Sequence, residues 1–149
     1  MIRLGKLTDY ATVILSFMAK SQSHMLAALE ISTATGIALP TVSKILKALV
    51  RANLLSSVRG AKGGYALVQT PEKITVASVI TALEGPISLT ECSSTDHSCE
   101  QVSACQIGNN WRVVNQTVQR ALESVTLADM MLPVSYPQEI TVPVASLYR

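Results

Sequence analysis

The chain has 149 residues with 48% hydrophobic, 15% charged and 4% aromatic residues, and a formal net charge of +2. This length suits one domain with at most an appended element, and so much apolar content excludes a chain disordered throughout. No stretch approaches the ~18 consecutive apolar residues of a membrane span, and the first six residues lack a signal peptide's apolar core and cleavage site, so a cytoplasmic protein without a membrane partner is expected.

Thr8-Asp9 followed by Tyr10, Val13, Ile14, Phe17 and Met18 reads as a capped amphipathic helix ending near Lys20. A loop leads to a second helix from Leu26 to Thr35, which Gly36 terminates in the C′ position. After the short turn Ile37-Ala38-Leu39, Pro40 opens a third helix running to Ala52, since a missing N–H costs nothing in a first turn. Val42, Ile45, Leu46, Leu49 and Val50 fall on one face of it, and Lys44, Lys47 and Arg51 form a separate basic stripe. Leu54–Val58 and Tyr65–Gln69 read as two strands of a hairpin around the turn Arg59-Gly60-Ala61-Lys62-Gly63-Gly64, with Pro71 closing it. Val76–Glu84 is a short helix stopped by Gly85-Pro86. Residues 88–106 show no sustained period. One long helix is expected over Ile107–Asp129, with Trp111, Val118 and Val125, and likewise Val114, Ala121 and Ala128, seven apart in a heptad-like seam. The tail from Met131 carries Pro133, Pro137 and Pro143 and is expected to be extended or disordered.

The charge is unevenly divided. Residues 1–73 hold nine basic and three acidic residues, a net +6, whereas residues 74–149 hold three basic and seven acidic, a net −4. A basic half attracts a polyanion. Two short helices, a tight turn, a third helix with a basic stripe and a basic hairpin together make a winged helix-turn-helix, a mainly α fold with a small β-hairpin wing. A helix fits the major groove with its N-terminal residues nearest the base edges, here Thr41, Ser43 and Lys44. Lys47 and Arg51, further along, suit phosphates. The hairpin tip offers Arg59 and Lys62, and Arg59 suits the negative potential of a narrow minor groove. The expected partner is double-stranded operator DNA.

Three cysteines, an odd number confined to one segment, argue against a secreted disulfide framework and for reduced thiols. The spacing Cys92-x6-Cys99-x5-Cys105 is not the paired CxxC of zinc sites, and soft thiolates suit an iron–sulfur cluster. For a fourth ligand His97 is local, Glu91, Asp96 and Glu100 are near, and Asp9, remote in sequence, is able to approach in a dimer. A different class of reading is a metal-free thiol sensor switched by a Cys99–Cys105 disulfide. A thiol enzyme built on Cys99 and His97 is disfavoured, because no orienting residue or substrate-pocket pattern accompanies the pair; neither catalysis nor a small-molecule substrate is expected.

The runs Leu7-Thr8-Asp9-Tyr10-Ala11, Leu39 to Lys47, Ser56 to Leu67, Ile74 to Ile80 and Leu89-Thr90-Glu91-Cys92 together resemble the Rrf-two family of winged-helix regulators of the IscR and NsrR type. The likeness spans most of residues 1–130, and the N-terminal run is most similar to the SUF-system and nitric-oxide-sensing branches. The resemblance implies a homodimer that binds DNA through the third helix and wing, with Arg59 in the minor groove and a long C-terminal helix for dimerisation. It implies a two-iron or four-iron cluster held by Cys92, Cys99 and Cys105, in some members with an aspartate matching Asp9 from the other subunit as fourth ligand. The position three beyond the last cysteine, histidine in the IscR branch, is Gly108, which favours Asp9. The expected division is a DNA-binding domain over 1–75, a cluster-binding loop with dimerisation helices over 76–130, and a tail over 131–149. The function so implied is a cluster-sensing repressor of iron–sulfur assembly genes; the alternative is a cluster-free thiol redox or nitric-oxide-responsive regulator.

Overall fold

The structure, a computed structural model, describes residues 3–21, 25–60, 62–93 and 105–133. Within them the chain runs α1 (Lys6–Lys20), α2 (Ala28–Thr35), α3 (Leu39–Arg51), β1 (Leu55–Val58), β2 (Gly64–Leu67), α4 (Val76–Glu84), α5 (Gly108–Ser124) and α6 (Leu127–Met131), with 3-10 turns at Pro71–Lys73 and Glu91–Ser93. The fold is mainly helical with one two-stranded antiparallel hairpin, as the pattern of periods predicts.

The apolar spacing of α3 explains its place at the centre. Val42, Ile45, Leu46 and Leu49 are fully buried on one face, against Ile14 and Leu15 of α1 and Ile31 of α2 in a single aliphatic cluster. Each such side chain contributes about 1.5–3 kcal/mol on leaving water, so this seam fixes α3 firmly while its polar face stays free. The turn between α2 and α3 is equally defined. Gly36 takes the left-handed conformation at φ 71°, Ile37 plugs the core, and the Ser32 hydroxyl donates to the Ile37 carbonyl at 2.7 Å.

Three boundaries differ from the expected ones, each because a tertiary partner competes. First, α1 starts at Lys6, with Gly5 as its N-cap. Thr8, expected as the cap, is instead 1% exposed inside the first turn. Second, α2 starts at Ala28 and not at Leu26. Leu26 pairs with β2: its N–H donates to the Tyr65 carbonyl at 3.0 Å and its carbonyl accepts from the Tyr65 N–H at 2.9 Å. The Glu30 carboxylate accepts from the Ala27 N–H at 2.6 Å, capping the shortened helix. Third, the hairpin strands are shorter, pairing only Leu55 with Leu67 through Val58 with Gly64.

The hairpin depends on two glycines. A β-carbon on Gly64 would lie 2.7 Å from the Leu26 carbonyl oxygen, and one on Gly63 would collide with the Val58 carbonyl. Only residues without a side chain let β2 approach both neighbours so closely. The wing is thereby stapled to the helical core on its far side.

The single long helix expected over Ile107–Asp129 is broken. α5 ends at Ser124, Val125 is extended, and α6 begins only at Leu127. The Val76 N–H donates to the Val125 carbonyl at 2.9 Å and the Leu127 N–H to the Ile74 carbonyl at 2.7 Å, so a short backbone bridge replaces helix here. Thr126 caps α6: its hydroxyl donates to the Asp129 carboxylate at 2.7 Å and its N–H does so at 2.8 Å. The hydroxyl bond first, then the backbone bond, hold the Asp129 carboxyl below its ordinary range. Val125 and Ala128 therefore leave the expected heptad seam. Leu127, 2% exposed, enters the same core as α1 and α3. The tail expected to be extended lies, from residue 134 on, outside the described residues.

Candidate functional site

The buried face of α3 determines what its other face presents. Lys44, Lys47 and Arg51 are exposed, and Thr41 and Ser43, nearer its N-terminal end, are half-buried. Arg59 and Lys62 are exposed at the wing tip. Helix and wing belong to one rigid unit, because β1 follows α3 with only Ala52, Asn53 and Leu54 between them and β2 is stapled to Leu26. Asn53 makes the tight turn at φ 58°, a conformation asparagine tolerates better than most residues. The seven residues read as DNA contacts thus lie on α3 and the wing, on a surface of positive charge.

The residues read as metal ligands are described in part. Cys92 lies in the 3-10 turn Glu91–Ser93, which packs on α5. Cys105 is a free, half-buried thiol just before α5. The point where a β-carbon would stand on Gly108 is 3.8 Å from its sulfur, so Gly108 leaves that side of the thiol open. Asp9 is exposed on α1 beside the buried Thr8. Cys99 and His97, with Asp96 and Glu100, lie outside the described residues. Among the described residues no three His, Cys, Asp or Glu side chains converge as a metal site within one chain.

Two residues that the sequence reading passed over hold this region in place. Glu84, the last residue of α4, reaches back 76 positions to accept a hydrogen bond from the Thr8 hydroxyl, and accepts another from the Gly5 N–H at 2.7 Å. A carboxylate is poorly placed at its own helix C-terminus but well placed at the N-terminus of α1, where it satisfies a free N–H and the helix dipole together. Asn115 is the one buried residue of α5. Its side-chain oxygen accepts from the Leu89 N–H at 3.0 Å and its amide nitrogen donates to the Ile87 carbonyl at 3.1 Å. Local pattern gives no sign of either link. The α5–α6 break was legible in principle, since Thr126-x-x-Asp129 has the form of a capping box.

Glu84→Ala removes the acceptor at the start of α1 and leaves the buried Thr8 hydroxyl without its partner. The expected loss is about 1–3 kcal/mol of unfolding free energy, read by urea denaturation, with Glu84→Gln losing less. A loss below 0.3 kcal/mol (roughly the floor for such measurements) contradicts the assignment of Glu84 as the cap of α1.

A sequence model of the Rrf2 family, described as an iron-dependent transcriptional regulator, matches residues 4–133. The chain is 30% identical over 131 residues to the HTH-type transcriptional regulator IscR of Yersinia pseudotuberculosis, a match covering 87% of this chain and 79% of that one. Among solved structures it resembles CymR, the global cysteine regulator of B. subtilis, with a TM-score of 0.64 and 26% identity over 88% of this chain and 97% of that one. It also resembles IscR of T. potens, with a TM-score of 0.63 and 25% identity over 87% and 86%. No helix among the described residues is long and apolar enough to cross a membrane.

Proposed function

Because the chain belongs to the Rrf2 family, we propose that it is a homodimeric repressor of iron–sulfur assembly genes whose grip on DNA is set by an iron–sulfur cluster. It is a transcriptional regulator, homologous to IscR, and not an enzyme. The observation that carries the finer reading is that both described ends of the cysteine segment meet the same helix. The turn holding Cys92 packs on α5, and Cys105 lies at its foot. Both described ends of the segment are thus anchored at α5, where Gly108 leaves room next to the Cys105 sulfur.

The donor set fits a cluster. Three thiols are soft ligands suited to iron, and an exposed carboxylate at Asp9 suits a fourth position supplied by the second subunit. Cys92, Cys99 and Cys105 would hold the group, which when bound supplies an oxidant- and nitric-oxide-sensitive tie among them. Every further consequence belongs to the chain. Trp111 of α5 and its N-cap residue Ile107, one turn apart on the same face, are both exposed, and α5 buries only Asn115, so this face offers an apolar patch to a second copy. Two recognition helices in a dimer must match two half-sites on one duplex. A shift of the cysteine segment moves α5, and a shift of α5 changes that spacing. Thr41, Ser43 and Lys44 would face base edges, Lys47 and Arg51 phosphates, and Arg59 with Lys62 the minor groove. In this assignment residues 1–75 read DNA, 76–130 sense and dimerise, and 131–149 form a tail; the protein acts in the cytoplasm.

The likeness to CymR, as close as that to IscR, favours a second reading in which a Cys99–Cys105 disulfide is the switch. Iron and acid-labile sulfide determination with visible spectroscopy on oxygen-free protein separates the two. The first reading expects a coloured, iron-bearing protein that Cys99→Ala and Cys105→Ala render colourless and Asp9→Ala renders labile. Protein that stays iron-free after reconstitution rules it out and leaves the disulfide.

A further inference from the structure

We propose that Asn115 is the positioning residue that locks the stretch Ile87–Ser93, which leads into the cysteine segment, to α5. Asparagine is a weak helix former, and a buried polar side chain in mid-helix is costly unless satisfied. Asn115 is 6% exposed, and both atoms of its amide find partners outside its own helix. Its amide is bonded on both sides, the oxygen to the Leu89 N–H and the nitrogen to the Ile87 carbonyl. An amide used this way imitates the edge of a β-strand and fixes the register of a backbone segment against the helix, which an apolar contact of the same size does not do.

The place of the clamp gives it its role. Leu89 stands three residues before Cys92. Spanning Cys92, the Ser93 N–H donates to the Thr90 carbonyl at 2.9 Å and the Thr90 and Ser93 hydroxyls meet at 2.8 Å, so Cys92 is linked to Leu89 through a closed turn. On the helix side, the C-terminal end of α5 is pinned by the backbone bridge at Val125 and Leu127. A cleft of about 620 Å³ between α4 and α5 has Asn115, Ser88 and Ser93 in its wall. The clamp is therefore the link between the Ile87–Ser93 stretch and a helix held at its far end. Its regulatory consequence rests on the reading of residues 76–130 as sensor and dimer helix; the mechanical link does not.

The test uses the full-length protein in two arms. In cluster-free protein, hydrogen exchange is followed by NMR or mass spectrometry in Asn115→Ala and Asn115→Asp. The alanine variant is expected to exchange at least tenfold faster at the Leu89 amide and in the first turns of α5, while amides of the α1–α3 core keep their protection. Aspartate keeps the acceptor for Leu89 but loses the donor to Ile87, so it is expected to retain most of the Leu89 protection and release only the Ile87 side. Faster exchange confined to residues 87–93, with α5 unaffected, or no change at Leu89, overturns the coupling. In the second arm, operator affinity is measured for iron-loaded and iron-free protein. Asn115→Ala is expected to bring the two affinities within about twofold of each other while iron content per chain is unchanged. A ratio equal to that of the unsubstituted protein overturns the proposal. Should the unsubstituted protein take up no iron, the reading of a cluster sensor fails, and the first arm alone decides the clamp.

Discussion

Alanine at Lys44, Lys47 and Arg51 together is expected to lower affinity for duplex DNA at least a hundredfold in 0.1 M salt, leaving thermal stability unchanged. All three side chains are exposed on the face of α3 opposite its buried seam, so their removal disturbs no packing. At about 1 kcal/mol for each charge-assisted contact, three contacts account for roughly a hundredfold. The salt dependence carries more information than the affinity. Each phosphate contact adds about 0.9 to the slope of log affinity against log salt. With Lys47 and Arg51 on phosphates and Lys44 at base edges, a dimer engaging both heads loses about 3.6 units of slope in the triple variant, and a single head about half of that. A slope that does not change would remove α3 from the DNA interface. Arg59→Ala, tested beside it, is expected to weaken binding most on operators with A·T-rich flanks, where the minor groove is narrow.

Leu127→Ala is expected to destabilise the fold by about 2–5 kcal/mol, measured by chemical denaturation. Leu127 is 2% exposed and shares a core with α1 and α3, although it belongs to the last described helix. Its N–H also forms half of the backbone bridge to Ile74. The natural control is Leu132, 66% exposed only five residues later, whose replacement by alanine is expected to cost less than ~0.5 kcal/mol. Equal effects at the two positions would mean that α6 is not part of the core. The size of the Leu127 effect also measures how firmly the end of α5 is anchored, on which any lever action by that helix depends.

Much of this was legible before any coordinates, and the reason is locality. The period of Val42, Ile45, Leu46 and Leu49, the left-handed Gly36, and Gly85 after Val76–Glu84 are signals spoken by neighbours a few positions apart. They placed α3, the turn before it and α4 where the structure has them. The wing was equally readable, since its glycines and alternation lie within a dozen residues. What failed to be legible was decided at a distance. Leu26 has helix-compatible neighbours, but Tyr65, far along the chain, takes its backbone into the wing. Val125 continues an apolar period, but Ile74 and Val76 take the backbone on either side of Thr126 out of the helix. Glu84 and Asn115 look like ordinary surface polar residues until the fold brings Thr8 and Leu89 to them. For the candidate site, the exposed basic stripe of α3 could be named residue by residue because exposure follows from helical period. The cysteines could be named by their chemistry, but the packing of the Glu91–Ser93 turn on α5 depends on contacts that no short-range pattern encodes.

The bridge at Val125 and Leu127 has a consequence for how such a chain can vary. Because α5 is fastened at that end, its rotational phase is counted backwards from Val125. One residue inserted between Asn115 and Val125 would turn everything upstream by about 100° and advance it by about 1.5 Å. The amide of Asn115 would then point away from Ile87 and Leu89, and the outward apolar stripe would face a new direction. The length of α5 over these ten positions is therefore a ruler that cannot be re-cut by a single residue.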